Sequence, residues 1–216
     1  MRFFNSVLVV IASLIYFQIA GQEAANPSPY LLDSFVDGTL YYAGKPPREA
    51  KFNYHLVGQE IVMDFNEKKV PVNNFPNLDS VRIGPHNFIL IDGKSYELLI
   101  NDKFQLLLEY RYTSQQQANE GLYGTKSHTQ GVVVANKSLK PNDFYSLKWH
   151  KGYELVDRSE FFIWQEGEMQ KFGNVNQLAQ IFKNKKKEIK EFASKNKSDF
   201  SRIEDVEKIV RFAATI

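Results

Sequence analysis

Residues 87–100 read NFILIDGKSYELLI, two apolar-rich runs joined by Asp92-Gly93. A type I′ turn needs positive φ at both central positions, which aspartate tolerates and glycine adopts at little cost, so the dipeptide predicts a two-residue β-hairpin. The same period of two runs through most of the chain. In KFNYHL, Phe52, Tyr54 and Leu56 share one face while Asn53 and His55 take the other. In EIVMDF, Ile61, Met63 and Phe65 alternate with Glu60 and Asp64. FQLLLEYRY puts Phe104, Leu106, Leu108, Tyr110 and Tyr112 on one face, with Gln105, Glu109 and Arg111 pointing away. Successive strand side chains point to opposite faces, so such alternation reads as half-buried strands. GVVVA, YSLKWH, YELV and FFIWQ continue the pattern, with Lys151-Gly152 and Glu166-Gly167 as turns. Many short strands between turn signals predict an antiparallel meander, barrel-like or sandwich-like.

The period changes after Phe172. Val175, Leu178 and Phe182 fall on one helical stripe; Ile189, Phe192 and Ala193 form a second; Ile203, Val206, Val210 and Ala213 form a third. Ser201 and Glu204 have the spacing of a capping box, and Glu204–Lys208 and Glu207–Arg211 are i, i+4 pairs in the favourable order. Strands first and helices last predict an α+β fold, with two or three short C-terminal helices packed on the β body. The domain reading is residues 1–21 as a signal peptide, 22–37 as a leader, 38–172 as the antiparallel β domain and 173–216 as the helical tail. Residues 115–130 are polar and glycine-containing, and are expected to form a mobile excursion that is the first guess for a contact surface.

Export follows from the N-terminus. Arg2 supplies a positive start, residues 7–20 form an apolar run, and Ala20 and Gly21 precede Gln22, where cleavage is expected. The chain has no cysteine, which excludes disulfides, thiolate metal sites, a cysteine nucleophile and lipoprotein anchoring. With 27 Lys+Arg against 25 Asp+Glu, the overall charge is too balanced for a nucleic-acid coat. Lys183, Lys186, Lys187 and Lys190 would cluster on one side of a continuous helix. Glu188 and Glu191 interrupt the basic face, so these lysines read as a solvated face, with an anionic membrane surface as the alternative partner.

No catalytic, metal-binding or cofactor-binding residue is assigned. His55, His86, His128 and His150 lack ligand spacing, and His55 and His150 are expected to be surface residues opposite the apolar face. There is no G-x-S-x-G elbow and no S-x-x-K. EGLYGTKSHTQG lacks the spacing of a phosphate loop. Asp92 and Asp102 read as turn residues. Trp149 is in phase with Tyr145 and Leu147, a core pattern, and Trp164 is in phase with Phe162. Asn136-Lys137-Ser138 and Asn196-Lys197-Ser198 match N-glycosylation sequons, and Asp79-Ser80-Val81 matches a short O-glycosylation acceptor of exported proteins.

GTLYY, FNYHLVGQEIVMDF, VRIGPHNFILIDGKSYELL, LYGTKSHT and the closing FKNKKKEIKEFASKNKSDFSRIEDVEKIVRF together resemble an uncharacterised family of exported Bacteroidota proteins. That resemblance covers most of the mature chain. It implies export and a β-rich body with a helical tail, and it brings no activity, ligand or catalytic residue. The expectation is a non-catalytic binding or structural module of the periplasm or cell surface. A β-barrel carrier of a small apolar ligand and a carboxylate-dependent hydrolase are the alternatives.

Overall fold

The structure, a computed structural model, describes residues 28–116, 132–133, 145 and 153–216. Its body is one antiparallel sheet of ten strands. In chain order these are β1 (Val36–Tyr42), β2 (Lys45–His55), β3 (Glu60–Phe65), β4 (Lys68–Pro71), β5 (Leu78–Ile83), β6 (His86–Ile91), β7 (Lys94–Asn101), β8 (Gln105–Glu109), and, after a smaller sheet, β12 (Glu160–Gln165) and β13 (Glu168–Phe172). The smaller sheet pairs β9 (Tyr112–Gln116) with β10 (Val132–Val133) and β11 (Tyr153–Asp157). Three helices close the chain: α1 (Val175–Ile181), α2 (Lys186–Lys195) and α3 (Ile203–Thr215), with a 3₁₀ turn at Lys183–Lys185.

The α+β expectation holds, and the choice between barrel and sandwich resolves to neither. The strand order is β13-β12-β8-β7-β6-β5-β1-β2-β3-β4, and its two end strands do not pair, so the sheet stays open. It curls nonetheless. Asn73, just beyond β4, donates to Ser95 Oγ of β7 (2.9 Å) and accepts from Ile61 N–H of β3 (2.7 Å), tying one end strand back toward the middle of the sheet.

The inward face is apolar. Phe52, Tyr54, Ile61, Val81, Phe88, Leu106, Leu108 and Phe161 are buried there in one cluster with Leu178, Ile189, Val206, Ile209, Val210 and Ala213 of the three helices. The tail therefore fills the hollow of the sheet. The Asp92-Gly93 turn forms as expected, with φ of 51° and 76°. Phe65 departs from the pattern: it is 57% exposed, because Asn66 and Glu67 turn the chain at positive φ directly after it.

Part of the outward face is also covered. Residues 28–35, in the stretch read as a leader, lie along β2, with Tyr30 bridged to His55. Asn53 holds this strap: its amide accepts from Leu32 N–H (3.0 Å) and donates to Leu32 O (2.8 Å) and Ser34 O (3.0 Å). A buried amide tolerates burial only when so satisfied. His55 is fully buried beneath the strap, edge-on to Tyr30 and Tyr145, and not the surface residue that strand phase suggested. Alternation tells one face from the other, and a covering segment can make both dry.

Helix starts differ in detail from expectation. Ser201 does not cap α3, which begins at Ile203 with Arg202 at the cap and no side-chain bond there. Asp199 accepts from Ser201 N–H (2.8 Å) and Asp205 from Asp199 N–H (3.2 Å) instead. Box-like capping occurs at α1, where Asn174 accepts from Gln177 N–H (3.0 Å) and Gln177 reaches back to Gly173 N–H (2.7 Å). The Glu207–Arg211 pair forms (3.2 Å), whereas Lys208 pairs with Asp205 (3.6 Å) rather than Glu204.

Candidate functional site

Strand register places one carboxylate inside. Leu40, Val81, Phe88, Glu97, Leu108, Phe161 and Phe172 form a continuous row across seven strands, each opposite the next. Every member but Glu97 is apolar, and all are buried. An unpaired carboxylate in such a row would be costly. Glu97 is engaged at both oxygens: Tyr110 donates to Oε2 (2.5 Å) and His86 Nδ1 lies 2.6 Å from Oε1. The Phe88 ring flanks this group and stacks on Tyr54 (5.1 Å between centroids). Burial drives the Tyr110 hydroxyl far above its ordinary pKa and the adjacent Glu97 adds to this, so Tyr110 stays a donor at neutral pH.

The hydrogen bond to Glu97 raises the pKa of His86, more than partial burial lowers it. A raised folded-state pKa means that the protonated ring stabilises the native state. This contribution is complete below the unfolded value of about 6.5 and is lost as pH rises through the folded value. His86→Gln should therefore remove a loss of stability that the parent shows above pH 6.5. Thermal melts of both proteins between pH 6 and 9 measure it; parallel curves would show that His86 does not titrate against Glu97.

Two more carboxylates meet on the outward face. Glu109 of β8 and Glu160 of β12 sit directly opposite one another. Cations separate their charges: Lys94 bonds Glu109 (3.3 Å), while Arg111 (3.0 Å) and Lys171 (2.5 Å) bond Glu160. No group of three or more His, Asp or Glu arranged to hold a metal ion occurs among the described residues.

A cleft of about 420 Å³ opens beside Leu108 and Phe161 of the row, at Tyr110 and the entry to α3. Tyr110, Tyr112, Phe161 and Phe200 bring rings to it, and Asp157, Ser159 and Ser201 bring polar atoms. Tyr112 donates to Asp157 Oδ2 (2.9 Å), and Ser159 N–H donates to Asp157 Oδ1 (2.7 Å), which fixes that carboxylate at the rim.

The four lysines named from sequence are all exposed, but they do not share one continuous helix. Lys183 lies in the 3₁₀ turn, and Lys186, Lys187 and Lys190 follow on α2. Lys185 between them donates to Ala213 O (2.9 Å) and helps satisfy the end of α3. Ser80 of the O-glycosylation match lies within β5, paired on both sides, and Asn196 caps α2. His128, His150, Trp149, Asn136 and residues 117–130 of the expected excursion lie outside the described residues, whereas Gln115 and Gln116 belong to β9.

Glu97 was not singled out by sequence, because Tyr96 and Leu98 suggest that the intervening residue faces water. The Asp92-Gly93 turn held the missing information: with Ile91 opposite Lys94, Phe88 must face Glu97. Among the described residues, no helix is long and apolar enough to cross a membrane. No protein-family model matches the chain, and neither do the curated proteins or the solved structures.

Proposed function

We propose that the chain is an exported, non-catalytic binding or structural module of the periplasm or cell surface, akin to exported Bacteroidota proteins and not lipid-anchored. One observation carries the non-catalytic part: the hollow of the sheet is filled by the chain's own tail, and both oxygens of its inward Glu97 are held by Tyr110 and His86. A carrier needs that space for cargo, and a hydrolase needs a carboxylate facing substrate. Glu109 and Glu160 are neutralised by lysine and arginine, which favours a stabilising role for them. Export rests on Arg2, the apolar run over residues 7–20 and the small residues before Gln22.

Expression of the full chain with a C-terminal tag in a Bacteroidota host tests the reading. The tagged protein should appear in the envelope or medium with an N-terminus near Gln22, and should co-purify with an envelope component after mild cross-linking. Cytosolic protein retaining Met1 would contradict it.

A further inference from the structure

We propose that the cleft beside α3 binds an organic ammonium group; this rests on the binding-module reading and gives that module a ligand class. At about 420 Å³ the cleft lies within the usual range of small-ligand sites, about 300–1,000 Å³. Its walls are electron-rich. Tyr110, Tyr112, Phe161 and Phe200 line it, and aromatic faces attract cations through the ring quadrupole. The tyrosine hydroxyls are committed elsewhere, Tyr110 to Glu97 and Tyr112 to Asp157, so neither is a spare donor for an anion. Among the described residues Asp157 is the only charged one lining the cleft, and its two oxygens are oriented by Tyr112 and Ser159. A carboxylate or phosphate ligand would meet that charge directly.

One feature pulls the other way. Ser201 and Ile203 place the start of α3 at the cleft, and a helix N-terminus favours anions. Glu204 and Asp205 in its first turn already offset that field. Arg111, Arg158 and Arg202 are near in sequence but do not line the cleft, and Arg111 is bonded to Glu160. An ammonium head against the rings and Asp157, with a short apolar body, is the chemistry these walls fit.

Choline and its uncharged isostere 3,3-dimethylbutan-1-ol are suitable probes, titrated into the mature protein at low salt and followed by amide NMR. Choline should shift resonances at residues 110–112, 157–159 and 200–203, with the alcohol binding about tenfold more weakly or worse. Asp157→Asn, which keeps an oxygen for Tyr112, should weaken choline about tenfold, while Glu188→Gln, exposed on α2 and away from the lining, should leave it unchanged. Equal affinity for choline and the alcohol, indifference to Asp157→Asn, or displacement of choline by acetate would overturn the proposal. None of these outcomes changes where the protein is found or what it co-purifies with, so failure here is separable from failure of the module reading.

Discussion

Ile209→Ala is expected to destabilise the protein by about 2–5 kcal/mol, the range for truncating a fully buried aliphatic side chain. Ile209 has no exposed surface and packs, with Val206, Val210 and Ala213, into the same cluster as the inward residues of the sheet. The cavity would open between α3 and the strands, where curvature and neighbouring helices limit relaxation. The paired control is the Gln variant of Lys183, Lys186, Lys187 and Lys190. All four are exposed, so each change should cost under about 0.5 kcal/mol. Urea titrations of the two proteins provide the comparison. Similar midpoints would mean that the helical tail is not seated in the sheet.

Gly38→Ala should be nearly as damaging, at about 3 kcal/mol, the upper end for overpacking. Its φ is ordinary for a strand; the requirement is space. A Cβ on Gly38 would fall on the carbonyl oxygen of Arg82 in the neighbouring β5 and 2.7 Å from Cδ2 of Phe52. Phe52 is fully buried and the Arg82 carbonyl is backbone, so neither can yield cheaply. Glycine here leaves room for an aromatic ring against the strand. A melting temperature close to that of the parent would show that the strands separate more easily than this contact implies.

Much of the architecture was legible before the structure. Phe104, Leu106, Leu108, Tyr110 and Tyr112 alternate in sequence and all join the core cluster; the helical stripes at Val175, Ile189 and Val206 do the same. Period is a local signal, and it marks the face that joins the core even in β8, where Leu107 and Glu109 of the other face are buried too. Three features were not legible for a common reason. His55 is buried by a strap some 25 residues earlier in the chain, Glu97 is turned inward by pairing, and the sheet stays open because its end strands never meet. Each depends on what lies across from a residue rather than beside it. The cleft is a still more distant case: Tyr112, Asp157 and Phe200 come from a strand, its partner and the turn before α3, and no spacing in the chain announces that meeting.

The claim that sheet and tail are one packed unit is tested most directly by following equilibrium unfolding with two probes. In a Trp149→Phe background, tryptophan fluorescence reports on the sheet through Trp164 of β12, and helical circular dichroism reports on α1 to α3. A tail seated in the hollow must be lost together with the strands around it, so the expected result is one transition with coincident midpoints, shifted equally at both probes by Ile209→Ala. Loss of the helical signal at lower urea, with tryptophan fluorescence still native, would contradict it.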